Sequence, residues 1–470
     1  MYVRSVPELY FDRRMTDAEG LMWRLEKDPH LSSTFANVTV LDRPPDFERL
    51  QRRMERATAA IPRLRQRVMS APANLSPPVW VDDPDFDLDL HLRRIALPKP
   101  GSLRQLLDLA TLIVADPFDR TRPLWQFVVV EGLRGGKAGL IEKLHHTITD
   151  GERGVQLSLE FLDFEPDAPE PSPIETAPAD PADDAGPATA GDPSSLETAR
   201  DLIAGSLRLP IGVARQVREL LADPTRLPDA STAAATTLRG ILDQLADTEQ
   251  ARSPLWTHRS LRRRLETARA PFQETKVAAK RLGGTLNTAF LTIATDAASR
   301  YHRELGEPVE TLRASMAIST RTEASGGNAF SLVRLLVPAG DMPVAERFAA
   351  IQEAADAARE HSAAAGLDTL ATLASTLPTS LVTRLARQQA QTVDFATSNV
   401  KGSPIPMYVA GAKLLENYPV GPLAGVAFNL TLLSYLGSLD MCMNIDTAAV
   451  TEPARLASAL QRSVSDLLAS

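Results

Sequence analysis

From Pro166 to Ser195 the chain reads PDAPEPSPIETAPADPADDAGPATAGDPSS, in which Ile174 is the only large apolar side chain. A stretch of that kind cannot offset the entropy of ordering by burial, so it reads as a disordered linker of Pro, Ala and acids. It divides the chain into residues 1–165, expected to form one domain, and residues 196–470, expected to hold a helical connector and a second. A length of 470 residues agrees, because one hydrophobic core rarely organises so many. The segment also carries Asp167, Glu170, Glu175, Asp180, Asp183, Asp184 and Asp192 and no base, so it accounts for nearly all of the formal charge of −8. The folded parts are close to neutral. That leaves no basic face of the sort nucleic acid calls for.

Cys442 is the sole cysteine, so no internal disulfide and no cysteine cluster can form, which fits a reducing, cytoplasmic setting. The first residues, MYVRSVPE, place a charge and a proline where a signal peptide needs a continuous apolar run. The most apolar stretch, Leu423 to Gly437, is interrupted by Asn429, Thr431 and Ser434 and falls short of the roughly 20 residues of a spanning helix. Contact with the inner membrane or a lipid droplet is therefore expected to be peripheral.

The first part alternates strand and helix signals. Thr34–Leu41 reads as a strand, Asp46 as the cap of a helix through Ala60, Pro62 as its stop, and Ser102 as the cap of a helix over Leu103–Ala115. A strand at Trp125–Val130, a turn at Arg134–Lys137 and a return strand from Leu140 to the His145-His146 pair form a hairpin, with Asp150-Gly151 marking a change to helix near Glu152. After the linker, Glu197–Leu221 and Thr236–Ala246 look helical, with Leu207, Ile211, Ala214, Val217 and Leu221 at helical spacing. Packing of this stripe on the body is preferred over an interfacial anchor, and Pro210 weakens both. The α/β texture then resumes: a helix at Asn287–Tyr301, strands at Ala314–Ser319 and Ser331–Val337 about a turn at Ser325–Asn328, helices at Val344–Ser362 and Leu367–Gln391, and strands at Phe395–Val400, Gly425–Ser434 and Met441–Ile445.

His145-His146-Thr147-Ile148-Thr149-Asp150-Gly151 is the segment whose order suggests a reaction. Neighbouring side chains on a strand point to opposite faces, so one imidazole can face a cleft while the other faces away. Divergent rings do not converge on one ion, and no His lies four residues from another with a Glu between, which argues against zinc. There is no Gly-x-Ser-x-Gly elbow to supply a nucleophile. Two readings remain: general base catalysis by a neutral imidazole near pKa 6.5, and a purely structural pair, which composition alone would favour and which the seven-residue pattern outweighs.

His-His-x-x-x-Asp-Gly is the signature of the coenzyme A-dependent acyltransferase superfamily. With Pro123-Leu124-Trp125 placed before it, the chain resembles the bacterial wax ester synthase/diacylglycerol acyltransferase family. Further similarities are Gly284-Thr-Leu-Asn287, Gly327-Asn328, Ser398-Asn399-Val400 and Ser434-Tyr435-x-Gly437, while a second Pro-Leu-Trp at Pro254–Trp256 is read as core packing. Two segments depart from the family pattern: Asn287-Thr288 stands for Asn-Asp, and Ser398-Asn-Val-Lys-Gly-Ser403 for Ser-Asn-Val-Pro-Gly-Pro.

The resemblance implies an α/β fold of two chloramphenicol acetyltransferase-like domains joined by a crossover, with a channel between them. It implies transfer of a long-chain acyl group from acyl-CoA, a co-substrate, to diacylglycerol or a fatty alcohol, with no permanently bound cofactor and no metal. His146 would be the general base, His145 its support and Asp150 a structural residue next to Gly151. Asn287, Ser398 and Asn399 are the oxyanion or substrate candidates, and Pro123, Leu124 and Trp125 would shape the channel. Two alternatives stand beside this reading: a condensation-type enzyme that takes its acyl group from a carrier protein, and an inactive relative that only binds lipid.

Overall fold

The computed structural model describes residues 12–70, 77–149, 154, 157–169, 251–319, 330–362 and 379–470. The expected helices over 197–221 and 236–246, the turn at 325–328, residues 367–378 of the helix expected over 367–391, and Asp150, Gly151 and Glu152 lie outside these residues; 154 and 157–158, within the helix expected from near Glu152, are helical. The described strands are β1 (Thr34–Leu41), β2 (Gln66–Met69), β3 (Val79–Asp82), β4 (Leu92–Ala96), β5 (Trp125–Glu131), β6 (Ala138–His145), β7 (Leu162–Asp163), β8 (Arg263–Pro271), β9 (Thr311–Ser319), β10 (Phe330–Pro338), β11 (Phe395–Lys401), β12 (Tyr408–Val409), β13 (Ala412–Val420), β14 (Phe428–Tyr435) and β15 (Ser438–Asp446). The helices are α1 (Asp17–Leu25), α2 (Phe47–Ala60), α3 (Leu103–Ala115), α4 (Phe272–Arg281), α5 (Leu286–Glu304), α6 (Val344–Ser362), α7 (Thr379–Ala390) and α8 (Pro453–Ala469).

Local chemistry sets the helix starts. The Asp46 carboxylate accepts from the Arg49 amide, and Ser102 and Gln105 bond each other's backbone amides in a capping box, which satisfies donors the helix itself leaves open. The seven-stranded sheet runs β4-β5-β6-β1-β13-β12-β7 and the six-stranded sheet β10-β9-β11-β14-β15-β8. Two strands of the first sheet, β12 and β13, come from the chain that follows most of the second. This crossover is antiparallel to β1, with Ala36 opposite Val420 and Thr39 opposite Asn417.

The three largest buried clusters among the described residues follow from the alternation of side chains. One lies among the helices and the second sheet, around Phe290, Tyr301, Phe395 and Phe428. A second lies on one face of the first sheet, around Leu41, Leu50, Trp125, Phe127, Leu140 and Leu144, with Leu433 and Tyr435 added from β14. The third, on the other face, joins Val38, Val128 and Ile141 to Leu265 of β8 and Cys442 of β15, so both sheets share it.

Where the expected linker begins, the main chain is held: the Arg49 guanidinium donates to the Pro166 and Ala168 carbonyls, at 2.9 and 2.6 Å, and Arg53 to that of Pro169 at 3.1 Å. The body therefore extends through residue 169.

Candidate active site

β6 brings the histidine pair to the edge of the first sheet and parts the two rings. His145 is 1% exposed and shares its face with Ile141. Its Nδ1 accepts from the Thr147 amide at 3.2 Å, which leaves the ring proton on Nε2, and Nε2 donates to Glu26 Oε2 at 3.1 Å. The Thr147 hydroxyl lies 2.7 Å from the same Nδ1. Glu26 caps the carboxyl end of α1 and also accepts from the Ser32 hydroxyl at 2.6 Å and the Ser33 amide at 2.7 Å. Burial alone would push its carboxyl up, but His145, Ser32 and Ser33 hold it below its ordinary value, so it stays a carboxylate. The His145 ring is thus locked in place.

His146 lies at the opposite face. Its amide donates to the Ser33 carbonyl at 3.2 Å, and its half-buried ring sits 4.6 Å from that of Phe35. The segment Glu26–Ser33 therefore holds both histidines, one by a carboxylate and one by a carbonyl. Glu26 is the functional residue that sequence reasoning missed. A signal existed: a carboxylate at a helix carboxyl end is disfavoured by the helix dipole, so an acid there points to another partner.

Pro123-Leu124-Trp125 is strand neighbour to the pair. The Leu124 carbonyl accepts the His145 amide at 3.1 Å and Trp125 stands opposite Leu144. Trp125 is 1% exposed, its indole N–H donates to the Leu64 carbonyl at 2.8 Å, and its ring stacks on His91 at 4.8 Å. These three side chains are buried, and the main chain of the motif pairs with β6. In the second Pro-Leu-Trp, Trp256 is core packing, 1% exposed against His302 and Phe428, with Leu255 partly buried beside that core and Pro254 exposed.

The oxyanion candidates do not converge. Asn399 donates to Asn287 Oδ1 in a close contact, on the face of the second sheet that carries the helices; Phe395 and Phe428 share that face and stack there. Ser398, one residue away, points to the opposite face, toward the first sheet, where Val400 meets the Trp125 cluster. Ser398 stands opposite Thr431. Gly421, just past β13, brings this face to the first sheet: a Cβ there would sit 2.4 Å from Thr431 Oγ1 and 2.9 Å from Asn429 Nδ2. Asn444 and Asn429 donate to the Gly421 and Pro422 carbonyls at 3.0 and 2.7 Å. The path from His146 runs through Phe35, Ala36 and its partner Val420 to Gly421, Thr431 and Ser398.

Although β1 has a strand on either side, Phe35 and Asn37 are partly exposed, as is Asn417 across from Thr39. Solvent therefore reaches this face at Phe35, Asn37, Asn417 and the half-buried His146.

The family model described as the wax ester synthase/diacylglycerol acyltransferase catalytic domain matches residues 15–290, and that of the family's C-terminal domain matches residues 326–467. The chain belongs to this family. A Mycobacterium tuberculosis protein assigned by name to the diacylglycerol O-acyltransferases is 33% identical, over 97% of this chain and 92% of its own length. A second from that organism, tgs1, is 27% identical over 96% and 94%. Among solved structures, the wax ester synthase/diacylglycerol acyltransferase of Marinobacter aquaeolei VT8 superposes with a TM-score of 0.65 at 21% identity, covering 97% of this chain and 98% of that one. The starter condensation domain of rhizomide synthetase, in complex with C8-CoA, matches the fold with a TM-score of 0.56 at 12% identity, covering 96% and 94%.

This acyltransferase is thus a two-domain α/β enzyme of a family that is coenzyme A-dependent in general and esterifies lipid hydroxyls. Among its described residues no cluster of His, Cys, Asp and Glu could hold a metal ion, and no helix is long and apolar enough to cross a membrane.

Proposed function

We propose that His146 is the general base in transfer of a long-chain acyl group from acyl-CoA to the hydroxyl of diacylglycerol or a fatty alcohol. The observation that carries this is the difference within the pair: His145 is fully bonded in the core, while His146 is half-buried with its ring against Phe35 on a partly exposed face. Neutral His146 takes the proton as the alcohol oxygen bonds to the thioester carbon, giving a tetrahedral oxyanion and an imidazolium. Collapse reforms the carbonyl, breaks the carbon–sulfur bond and passes the proton to the departing thiolate, so the base is regenerated. Ser398, facing the first sheet, is the oxyanion or substrate candidate whose direction fits; Asn287 and Asn399 brace the start of α5. Asp150 keeps its structural assignment beside Gly151. The complex of the condensation domain with C8-CoA supports a free acyl-CoA donor for this fold, and the names of the curated relatives favour a lipid acceptor over an amine.

The test is release of coenzyme A from palmitoyl-CoA with diacylglycerol or hexadecanol, with the lipid products resolved. Acceptor-dependent release that falls at least 100-fold in His146→Ala is expected on the scale of general base catalysis. No release with either acceptor would remove the reading.

A further inference from the structure

About 7 Å along β1 from Phe35, at two residues' rise, the apolar floor is interrupted by a polar cluster. Asn37 lies directly opposite Glu142 and Thr39 opposite Asn417, all on the face that His146 borders. The Asn37 Nδ2 donates to Glu142 Oε2 at 2.8 Å and to Thr39 Oγ1 at 3.0 Å, and makes a close contact with Asn417 Oδ1. Thr39 donates to Asn417 Oδ1 at 3.0 Å, and the Asn417 amide donates to Asp440 Oδ2 at 2.8 Å. Around the cluster lie Phe127, Leu140 and Leu144.

Two features make this more than a structural tie. Asn37 Oδ1 is buried and has no hydrogen-bond partner. The Asn417 carboxamide spends its oxygen on these bonds, which leaves its Nδ2 to give. An open acceptor beside an open donor is the complement of an amide, which offers one N–H and one C=O. A diacylglycerol whose hydroxyl is reacting offers carbonyls only, and a fatty alcohol neither. A hydrocarbon chain laid over these groups would leave them desolvated and unpaired.

We propose that Asn37, Glu142 and Asn417 form the subsite for an amide of the pantetheine arm of the acyl donor. Glu142 lies four residues before His146 along β6, roughly 13 Å of strand rise, so the amide that fits is the second from the thioester sulfur and not the first. The subsite rests on the acyl-CoA reading above, and it makes the donor, not the acceptor, the substrate that occupies this face.

The test is equilibrium binding of two non-reacting ligands, S-hexadecyl-CoA and the amide-free thioether S-hexadecyl-mercaptoethanol, to the full chain and to Asn37→Leu and Asn417→Leu. Loss of one hydrogen-bonded pair in a partly buried site should weaken the coenzyme A ligand about tenfold or more in each variant and leave the thioether unchanged. Equal weakening of both ligands, in variants that keep the wild-type Tm, would overturn the subsite and leave a general packing role. Unchanged binding of both in both variants would also overturn it. A rise confined to the KM for diacylglycerol would assign the cluster to the acceptor instead. Failure of the acyl-CoA reading shows separately, as wild type that neither binds S-hexadecyl-CoA nor releases coenzyme A.

Discussion

At the scale of single residues the two histidines differ in what surrounds them, and Glu26 is the cause. It fixes the tautomer and orientation of His145 and, through Ser33, the main chain of His146. Glu26→Gln keeps the size and loses the charge. We expect kcat to fall roughly 10- to 100-fold, as for loss of a group that orients a catalytic partner, with KM for the acyl donor nearly unchanged; a changed KM at constant kcat would contradict this. Glu142 makes a different prediction. Burial pushes its carboxyl up to about 7, against the bonds from Asn37 and Thr39 that pull it down. The folded protein therefore holds this proton where the unfolded chain, near 4.5, has released it. Stability associated with Glu142 is fully present below about pH 4.5 and is lost as pH rises through about 7. The loss amounts to about 3 kcal/mol at most on the scale of 1.36 kcal/mol per pKa unit. Urea unfolding at pH 5 and pH 8 should give a smaller difference in Glu142→Gln than in wild type; equal differences would mean the carboxyl is not strained.

Most elements are legible because their cause is local. Caps at Asp46 and Ser102 and alternation in β1 set bounds that the structure repeats, and the histidine motif falls at a strand end as alternation requires. β13 is not legible, and its residues show why: AKLLENYPV carries Lys, Glu, Asn and a proline, which argues against an inner strand. Proline is tolerated because β12 pairs only with residues 412 and 413, so near Pro419 the strand has a partner on one side, β1. Likewise, the sequence could name Ser398, Asn399 and Asn287 as candidates but not their faces, since the face of a strand depends on which sheet it joins and in what register. At this scale Gly421 is the sensitive point of the crossover. Gly421→Ala forces a methyl against Thr431 and Asn429, and neither strand can retreat without breaking its ladder. A loss of roughly 1–3 kcal/mol, the usual cost of overpacking, is expected in urea unfolding, with a fall in kcat because Thr431 stands beside Ser398. An unchanged midpoint and rate would show that the crossover is looser than described.

Across the whole molecule, the halves on either side of the linker are not independent bodies. β13 completes the first sheet while Asn417, Gly421 and Pro422 bond the second, and Val38, Ile141, Leu265 and Cys442 share one core. Arg104 of α3 adds a bond to the Leu265 carbonyl at 2.7 Å and an ion pair with Glu266 at 3.3 Å. Asp440 sits at the junction, fully buried, accepting from Arg269 at 2.7 Å and from the Asn417 amide at 2.8 Å. Breaking either sheet therefore exposes the other's core, and unfolding is expected to be one transition in spite of the length. Tryptophan fluorescence, which reports mainly the first half through Trp23, Trp80 and Trp125, should share a urea midpoint with far-UV circular dichroism. Asp440→Ala leaves the Asn417 amide without its acceptor, while Arg269, partly exposed, keeps Glu416 beside it; both midpoints should fall together, by an amount corresponding to about 1–3 kcal/mol, as for a buried donor left unpaired. If the two signals separate, or if the substitution moves only one of them, the sheets unfold apart and the crossover does not couple them.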